Sequence, residues 1–357
     1  MVSYSDILVN NESLASSSGG GGGPVAVVVG GTSGIGLTTT QALLKHSSSP
    51  TIYLVGRDSR RIETLIAETF QPLNAAATLI PIVAGDLTLV RNAQKAADAI
   101  VQHATETQAG GDGRTPARID LLVMTAGYLS MSSKPDWSPE GLERLMAIRF
   151  HARMAILLKL LPLLRRAPGP RVVNVLAAGE EGPLNLDDLA MTQPKTYGPL
   201  YAMAAAASMS TLFLEKVASL PENGNVVFLH TFPGMVPDTG LQIHHSFLLG
   251  LIYRFVKLIS GLVMKTHTAQ EAGERTLFVA TSGRFRRVQS PEAAAGTLIQ
   301  PGSNGVLGSG MFLVGEDSDA IPDGGNAELK KLREGDAATK VYEYALAELE
   351  RIEKSTS

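Results

Sequence analysis

The stretch Val25-Ala26-Val27-Val28-Val29-Gly30-Gly31-Thr32-Ser33-Gly34-Ile35-Gly36 contains the strongest structural signal in the chain. Its first five residues are apolar and mostly β-branched, which predicts a buried strand of a parallel sheet. Glycines then follow at the spacing Gly-x-x-x-Gly-x-Gly, and a helical pattern begins at Leu37. Glycine lets a phosphate approach the backbone, and the free N–H groups at a helix start attract an anion. A strand, a glycine turn and a helix in this order predict a site for the diphosphate of a dinucleotide.

The same stretch resembles the first turn of the short-chain dehydrogenase/reductase family, which commonly reads Thr-Gly-x-x-x-Gly-Ile-Gly. Val29 stands at the threonine place, and the three glycines and the isoleucine match. The resemblance covers roughly residues 24–314 and implies a single doubly wound (Rossmann-type) α/β domain, with a parallel sheet of about seven strands and helices on both faces. It also implies that the cofactor lies on Gly30, Thr32, Ser33, Gly34, Ile35 and Gly36.

The composition excludes several other kinds of protein. The chain has 357 residues, 44% of them hydrophobic and 18% charged, which suffices for one large α/β core. A net charge of −3 without a basic block argues against a nucleic-acid partner. The chain has no cysteine, and its seven histidines lack the spacing of metal ligands. We therefore expect a cytoplasmic protein without a metal, whose oligomeric state stays open.

The two ends of the chain differ from its middle. Residues 1–23 are polar and finish in a run of glycines, so we predict a disordered leader. This leader lacks the basic start and the long apolar middle of a signal peptide. Residues 338–354 predict a charged amphipathic helix at the other end. Residues 24–357 are thus assigned to one dinucleotide-binding domain.

The tip of the second predicted strand, residues 51–55, bears on the choice of cofactor. A carboxylate at this tip bonds the ribose 2′-hydroxyl of NAD, whereas an arginine accommodates the 2′-phosphate of NADP. Arg57 follows the strand, and Arg60 and Arg61 come one turn later. Since a guanidinium holds a phosphate through two parallel hydrogen bonds, we predict NADP(H). Asp58 beside them keeps NAD as the alternative.

Two further cofactor contacts follow from the resemblance. Asp86 stands where the family has an aspartate that contacts adenine, although an aspartate that caps the next helix is an equally good interpretation. Ala126 and Gly127 match the end of the family's Asn-Asn-Ala-Gly, whose small residues let the nicotinamide ribose lie against the backbone. Met124 and Thr125 replace the two asparagines, the first of which braces the neighbouring strand in the family.

The side chains that assist the family's chemistry are largely replaced. In the family, a serine that ends the fifth strand orients the substrate oxygen, and an asparagine of a long helix holds a water. Leu176 and Ala177 stand at the serine places, and Arg149 stands at the asparagine place. The family also has a lysine whose positive charge is missing here, and Arg149 or Lys195 could replace that charge in space. The alternative for Arg149 is a surface arginine on its helix.

The family's catalytic tyrosine exchanges a proton with the substrate oxygen, and a lysine four residues later lowers its pKa. The number of residues that separate the tyrosine from Pro233 favours Tyr201, with Tyr197 as the alternative. Ala205 stands at the lysine place. An ordinary tyrosine, with a pKa of about 10, is only about one part in a thousand ionised at neutral pH. Such a tyrosine still donates a hydrogen bond to a carbonyl, which favours reduction over alcohol oxidation.

A strongly apolar segment, residues 247–264, follows the common core of the family. It is interrupted by Arg254 and Lys257 and is too short and too charged for a comfortable transmembrane span. In the family this region, about residues 240–268 here, forms a lid over the substrate. A large apolar lid implies a bulky apolar substrate. The alternative is a helix that lies on a membrane surface as a peripheral contact.

These observations lead to three functional hypotheses. The first is an NADP-dependent reductase of a carbonyl or enone in a bulky apolar metabolite. Residues 175–182 are similar to divergent fungal family members attached to natural-product, or secondary-metabolite, pathways. The second is an enzyme without net redox chemistry, such as a cyclase or isomerase. The third is an NADP-binding protein without catalysis.

Overall fold

The computed structural model describes residues 2–17, 23–108, 116–193, 197–237, 243–244, 266–288 and 298–355. The strands are β1 (Val25–Val29), β2 (Thr51–Gly56), β3 (Thr78–Val83), β4 (Leu121–Met124), β5 (Leu129–Ser130), β6 (Arg171–Val175), β7 (Val227–Thr231), β8 (Ile243–His244) and β9 (Met311–Val314). Seven of them form one parallel sheet in the order β3-β2-β1-β4-β6-β7-β9, while β5 and β8 pair separately. The predicted doubly wound α/β fold is thereby confirmed.

Helices cover both faces of the sheet. They are α1 (Tyr4–Glu12), α2 (Leu14–Ser17), α3 (Gly34–His46), α4 (Ser59–Leu65), α5 (Val90–Gln108), α6 (Arg144–Met146), α7 (Ala152–Leu164), α8 (Pro199–Ser219), α9 (Ala269–Thr281), α10 (Ala327–Arg333) and α11 (Ala337–Lys354). A π-helical turn, Ala147–His151, joins α6 to α7, and another, Ile66–Phe70, follows α4. Among the helices that the structure describes, none is both long and apolar enough for a membrane crossing.

The alternation of side chains along β1 divides the interior into two cores. Val25, Val27 and Val29 pack into the core under α5, α7, α8 and α11. Ala26 and Val28 pack into the opposite core, under α3 and α9. Because successive residues of a strand point to opposite faces, a strand covered on both sides must be apolar throughout, as β1 is.

The direction in which the sheet winds reverses between β1 and β4. The chain winds from β1 through β2 to β3 on one side, and then from β4 onward on the other. Val29 is paired with Val55 on one side and with Met124 on the other, so these strands end at the same level. Ligands of open α/β sheets bind at such a switch point.

The structure corrects the prediction of a disordered leader for its first part. Tyr4–Glu12 is helical, with Ser3 as its N-cap, and Ile7 is fully buried. The Asn11 side chain donates to the main-chain oxygen of Glu274 at 3.0 Å and to its carboxylate at 2.7 Å. Contacts with α9, rather than the composition of the segment, therefore stabilise this helix. Residues 18–22, which include the first four glycines of the run Gly19–Gly23, lie outside the described residues.

Candidate cofactor and substrate site

The glycine turn after β1 has no room for side chains. Gly30 has a φ of +86° and Gly34 a φ of +52°, which is the left-handed region that favours glycine. A Cβ on Gly36 would lie 2.4 Å from Gly30 O and 2.5 Å from Thr125 Oγ1. Ser33 is the N-cap of α3, yet its side chain makes no capping hydrogen bond. The start of α3 thus offers unpaired N–H groups and a hydroxyl to an anion, which fits a dinucleotide diphosphate.

The basic residues after β2 lie beside this turn. Arg61 donates from Nε and Nη2 to Thr32 O, at 3.0 and 2.9 Å. Asp58 accepts the N–H of Arg61 at 2.7 Å as the N-cap of α4. Arg57 is exposed at the tip of β2, next to Gly56, where a Cβ would lie 2.6 Å from Thr32 Cγ2. The tip of β2 therefore combines two guanidinium groups with a carboxylate that is already engaged.

Asp86 makes local contacts at the end of β3. Its carboxylate accepts the N–H of Thr88 at 2.9 Å and the Thr88 hydroxyl at 2.8 Å. Arg144 Nη1 lies 3.8 Å from Asp86 Oδ2. The N–H of Val90, the first residue of α5, is accepted by Glu140 Oε2 at 2.6 Å instead. Glu140 and not Asp86 thus caps this helix, while the adenine contact of Asp86 stays a prediction.

The chain bends across the end of β1 directly after β4. The N–H groups of Thr125 and Ala126 both donate to Val29 O, at 2.9 and 3.2 Å. The Thr125 hydroxyl donates to the same oxygen at 3.1 Å. This bend presents Ala126 and Gly127, the predicted neighbours of the nicotinamide ribose, at the carboxyl end of the sheet.

A buried arginine, to which no sequence motif pointed, supports this bend from α7. Arg153 is 2% exposed. Its Nη2 donates to Ala126 O at 2.7 Å, and its Nη1 donates to Asn174 Oδ1 at 2.7 Å, Val175 O at 2.8 Å and Met124 O at 3.3 Å. The guanidinium thus connects the ends of β4 and β6. Arg153 therefore braces the neighbouring strand, which is the role of the family's asparagine at the place of Met124.

Arg149 lies one turn before Arg153, within the π-helical turn. It is buried and donates from Nε to Tyr128 O at 3.2 Å, so the surface alternative for this arginine is wrong. Burial lowers the pKa of Arg149 to about 10. Burial, followed by the charge of Arg149, lowers the pKa of Arg153 to about 9, and both side chains remain cationic at neutral pH. Lys195, the other predicted source of positive charge, lies outside the described residues.

A buried hydrogen-bond chain occupies the region where the family has its serine. The N–H of Ala177 donates to His230 Nε2 at 3.2 Å. His230 Nδ1 lies 2.8 Å from the hydroxyl of Thr211, which donates to Glu181 Oε1 at 2.8 Å. Burial lowers the pKa of His230 to about 3, so the ring is neutral and Nδ1–H donates to Thr211. These hydrogen bonds fix the backbone after β6, and Ala177 offers no hydroxyl there.

The two candidate tyrosines have different surroundings. Tyr201 lies in the first turn of α8, and its hydroxyl oxygen accepts the N–H of Asn185 at 3.1 Å. Tyr197 precedes α8 and donates to the buried carboxylate of Glu143 at 3.1 Å. Burial and the charge of Glu143 raise the pKa of Tyr197 above its usual value. Ala205, one turn after Tyr201, is fully buried.

Most of the predicted lid, residues 240–268, lies outside the described residues. Residues 245–265 lie outside the described residues, as do 238–242. Of the predicted lid the structure describes only β8, which pairs with β5 in parallel, and the residues just before α9.

The fold and the glycine turn define a dinucleotide-binding α/β protein, and comparison with known proteins narrows this class. The family model described as short chain dehydrogenase matches residues 24–185. The NmrA-like family domain-containing oxidoreductase notO of an Aspergillus species is 33% identical over 72% of this chain and 69% of its own. Oxidoreductase andH of Emericella variicolor is 31% identical over 90% of each chain. Short-chain dehydrogenase/reductase SAT2 of Stachybotrys chartarum is 28% identical over 92% of each.

This chain therefore belongs to the short-chain dehydrogenase/reductase family of oxidoreductases, as a divergent member that resembles fungal enzymes. Solved structures support the fold. An uncharacterized protein from Mycobacterium paratuberculosis superposes with a TM-score of 0.56 at 20% identity, over 93% of both chains. The L-sorbose reductase of Gluconobacter frateurii, solved with NADPH and L-sorbose, superposes with a TM-score of 0.51 at 17% identity, over 74% of this chain and 91% of its own.

Proposed function

We propose that this protein is an NADP-dependent reductase of a carbonyl or enone in a bulky apolar metabolite, with Tyr201 as the hydrogen-bond donor to the substrate oxygen. The observation that carries the choice of cofactor is the state of the residues after β2. Asp58 is engaged as a helix cap, whereas Arg57 is exposed and Arg61 lies on the glycine turn.

The competition between Asp58 and the arginines supports NADP over NAD. A carboxylate that selects NAD must accept hydrogen bonds from ribose hydroxyls. One oxygen of Asp58, Oδ1, already accepts the N–H of Arg61, and removing a helix cap of this kind costs about 1 kcal/mol. Two guanidinium groups beside the same turn favour a 2′-phosphate, because arginine binds phosphate through paired hydrogen bonds.

The chain's own contribution to the chemistry is a proton donor. Bound NADPH would supply the hydride, and the substrate oxygen would need a proton or a hydrogen bond. Tyr201 accepts the N–H of Asn185, which leaves the hydroxyl proton for a substrate oxygen. The proton of Tyr197 is directed at Glu143, which makes that tyrosine the weaker candidate.

One observation favours a second candidate, an enzyme without net redox chemistry. Ala177 and Ala205 stand in place of the hydroxyl and the ammonium that the family uses; the N–H of Ala177 donates to His230, and Ala205 is fully buried. A cyclase or isomerase would need the cofactor only as a structural element or not at all.

Cofactor titration is the first test. Purified protein is titrated with NADPH and with NADH, and the same is done for Arg57→Ala, with the exposed neighbour Arg60→Ala as the matched control. We expect Arg57→Ala to weaken NADPH by about 30-fold, the loss of one charge-assisted phosphate contact, and to change NADH by less than about threefold. Equal losses for both cofactors would refute the NADP proposal, and binding of neither would refute the dinucleotide site.

Substrate conversion separates the remaining candidates. Wild-type protein is incubated with apolar ketones and enones, and NADPH consumption is followed together with the products. Consumption matched by reduced product supports the reductase. Conversion at the same rate without added cofactor would support the cyclase or isomerase. Binding of NADPH without conversion of any substrate would support the non-catalytic protein.

A further inference from the structure

We propose that Arg153 makes the site prefer the reduced cofactor, because its buried positive charge disfavours the cationic nicotinamide ring of NADP⁺ relative to the neutral ring of NADPH. This inference rests on the proposed function. It assigns to α7 a part in selecting the oxidation state of the cofactor, in addition to its bracing of the sheet.

The charge of Arg153 is buried and has only neutral partners. Its hydrogen-bond acceptors are the main-chain oxygens of Met124, Ala126 and Val175 and the amide oxygen of Asn174. In the part of the chain that the structure describes, no carboxylate forms an ion pair with it. Arginine does not neutralise in proteins, so the charge persists where a buried lysine would lose its proton.

The titratable groups near Arg153 are a second cation, a neutral histidine and a carboxylate that lies against that histidine. Arg149, one turn earlier, is a second buried cation, and each charge opposes the other. His230 is held neutral by burial, and the charge of Arg153 contributes to lowering its pKa. Glu181, the carboxylate of the same buried region, lies 3.8 Å from His230 Nδ1 and accepts hydrogen bonds from Thr211 and Gly179.

The charge lies directly behind the backbone that the family resemblance assigns to the nicotinamide ribose. Arg153 Nη2 donates to Ala126 O at 2.7 Å. A Cβ on Gly127 would lie 3.6 Å from the same nitrogen. Only main chain therefore separates the guanidinium from the surface on which that end of the cofactor is expected.

The expected size of the preference follows from Coulomb's law. Two unit charges about 10 Å apart, at an effective dielectric constant of about 20, change a binding constant by roughly tenfold. The phosphates of the two cofactor forms carry the same charge, so only the ring distinguishes them. By linkage, tighter binding of the reduced form by tenfold raises the reduction potential of the bound couple by about 30 mV. The effect is thus on loading with NADPH and release of NADP⁺, not on the hydride step itself.

Two variants remove the net charge in different ways. Arg153→Met deletes the guanidinium with a side chain of similar reach. Asn174→Asp keeps the acceptor oxygen at 2.7 Å from Arg153 Nη1 but adds a negative charge, and it replaces an Asn174 Nδ2 that has no hydrogen-bond partner among the described residues. Arg171→Met is the matched control, because it removes a positive charge from the opposite end of β6.

The measurement is the ratio of the dissociation constants of NADP⁺ and NADPH, obtained by titration calorimetry on the full chain. We expect wild type and Arg171→Met to bind NADPH on the order of tenfold more tightly than NADP⁺. In Asn174→Asp and in Arg153→Met the ratio should fall toward one. A purely structural role of Arg153 would weaken both forms equally and leave this ratio unchanged.

The outcomes separate a failure of this inference from a failure of the proposed function. Asn174→Asp retains the hydrogen bond to Arg153, so it remains a valid test even if Arg153→Met fails to fold. An unchanged ratio in Asn174→Asp overturns the inference. A wild-type ratio near one also overturns the inference, while leaving the NADP site intact. Failure of wild type to bind either form would instead remove the proposed function on which the inference rests.

Discussion

The two ends of the cofactor cleft achieve their geometry in different ways. At the phosphate end, the turn from β1 to α3 consists of main-chain N–H groups and of glycines whose side-chain positions are filled by neighbouring atoms. At the other end, where the family has its catalytic side chains, two buried hydrogen-bonded groups lie instead: Arg153 with Asn174, and His230 with Thr211 and Glu181. The first end thus keeps the glycine spacing of the family's turn, whereas the side chains of the second end differ from those that the family uses.

The largest effect is expected at the phosphate end. Gly36→Ala would place a methyl group 2.4 Å from Gly30 O, and this backbone atom cannot move without opening the turn. We expect a loss of about 3 kcal/mol in the free energy of unfolding, typical of severe overpacking, together with at least 100-fold weaker NADPH binding. Urea unfolding and cofactor titration measure the two effects.

Gly169→Ala is the control for this substitution, because nothing lies within 4 Å of the added methyl group. It should leave stability and NADPH affinity unchanged. If Gly36→Ala bound NADPH as tightly as Gly169→Ala, the close packing of the phosphate end would not be required for binding.

Substitution of the two tyrosines tests which of them donates a proton to the substrate. Tyr201→Phe removes the only hydroxyl proton proposed for the substrate oxygen, so we expect kcat for the best carbonyl substrate to fall about 100-fold, the usual range for a proton donor. Tyr197→Phe should change kcat by less than about threefold and act on the stability of the Glu143 region instead. The reverse order of effects in steady-state kinetics would make Tyr197 the donor.

The burial of His230 predicts how the stability of the protein depends on pH. His230 has a folded-state pKa of about 3, while the unfolded chain titrates near the ordinary value of about 6.5. Between these values the unfolded state binds a proton that the folded state does not, so stability falls as the pH falls. At pH 5 the cost is about 2 kcal/mol.

His230→Gln should flatten that dependence. The loss of stability between pH 7 and pH 5, measured by urea unfolding, should be about 2 kcal/mol smaller in the variant. His151, whose pKa is lowered to about 4 by burial, contributes its own acid sensitivity in both proteins. Parallel curves for wild type and variant would show that His230 is not held neutral in the folded state.

The smallest effect is expected far from both ends, at α1. Asn11→Ala removes hydrogen bonds to the buried Glu274, one of them to its carboxylate, which should cost about 1.5 kcal/mol of stability. Glu12→Ala, at an exposed neighbouring position, is the control and should change stability by less than about 0.5 kcal/mol. Equal unfolding midpoints for both variants would mean that α1 does not stabilise the domain.

The sequence predicted those parts of the molecule whose signals are local. The β-branched run of β1 and the glycine spacing after it directly reflect backbone requirements, and the sheet has the predicted strands in a doubly wound order. The buried polar side chains around Arg153 and His230 have no local signal of this kind in the sequence. Arg153 looks like any charged residue of a helix until β4 and β6 are brought against it, and the register that pairs Asn174 with His230 exists only in the folded sheet.

The prediction of a disordered leader was wrong for its first part for a related reason. Its composition is that of a disordered segment, whereas in the folded chain Ile7 is buried and Asn11 donates to Glu274, which stabilises the helix. Contacts between residues more than two hundred positions apart are not visible in the polarity of one segment.

A crystal structure of the full chain with NADPH tests the central claim most directly. We expect diphosphate oxygens at about 3 Å from the main-chain N–H groups of Gly34, Ile35 and Gly36, with the 2′-phosphate beside Arg57 and Arg61. A dinucleotide bound away from this turn, or one whose adenosine ribose is held by Asp58 with no contact to either arginine, would contradict it.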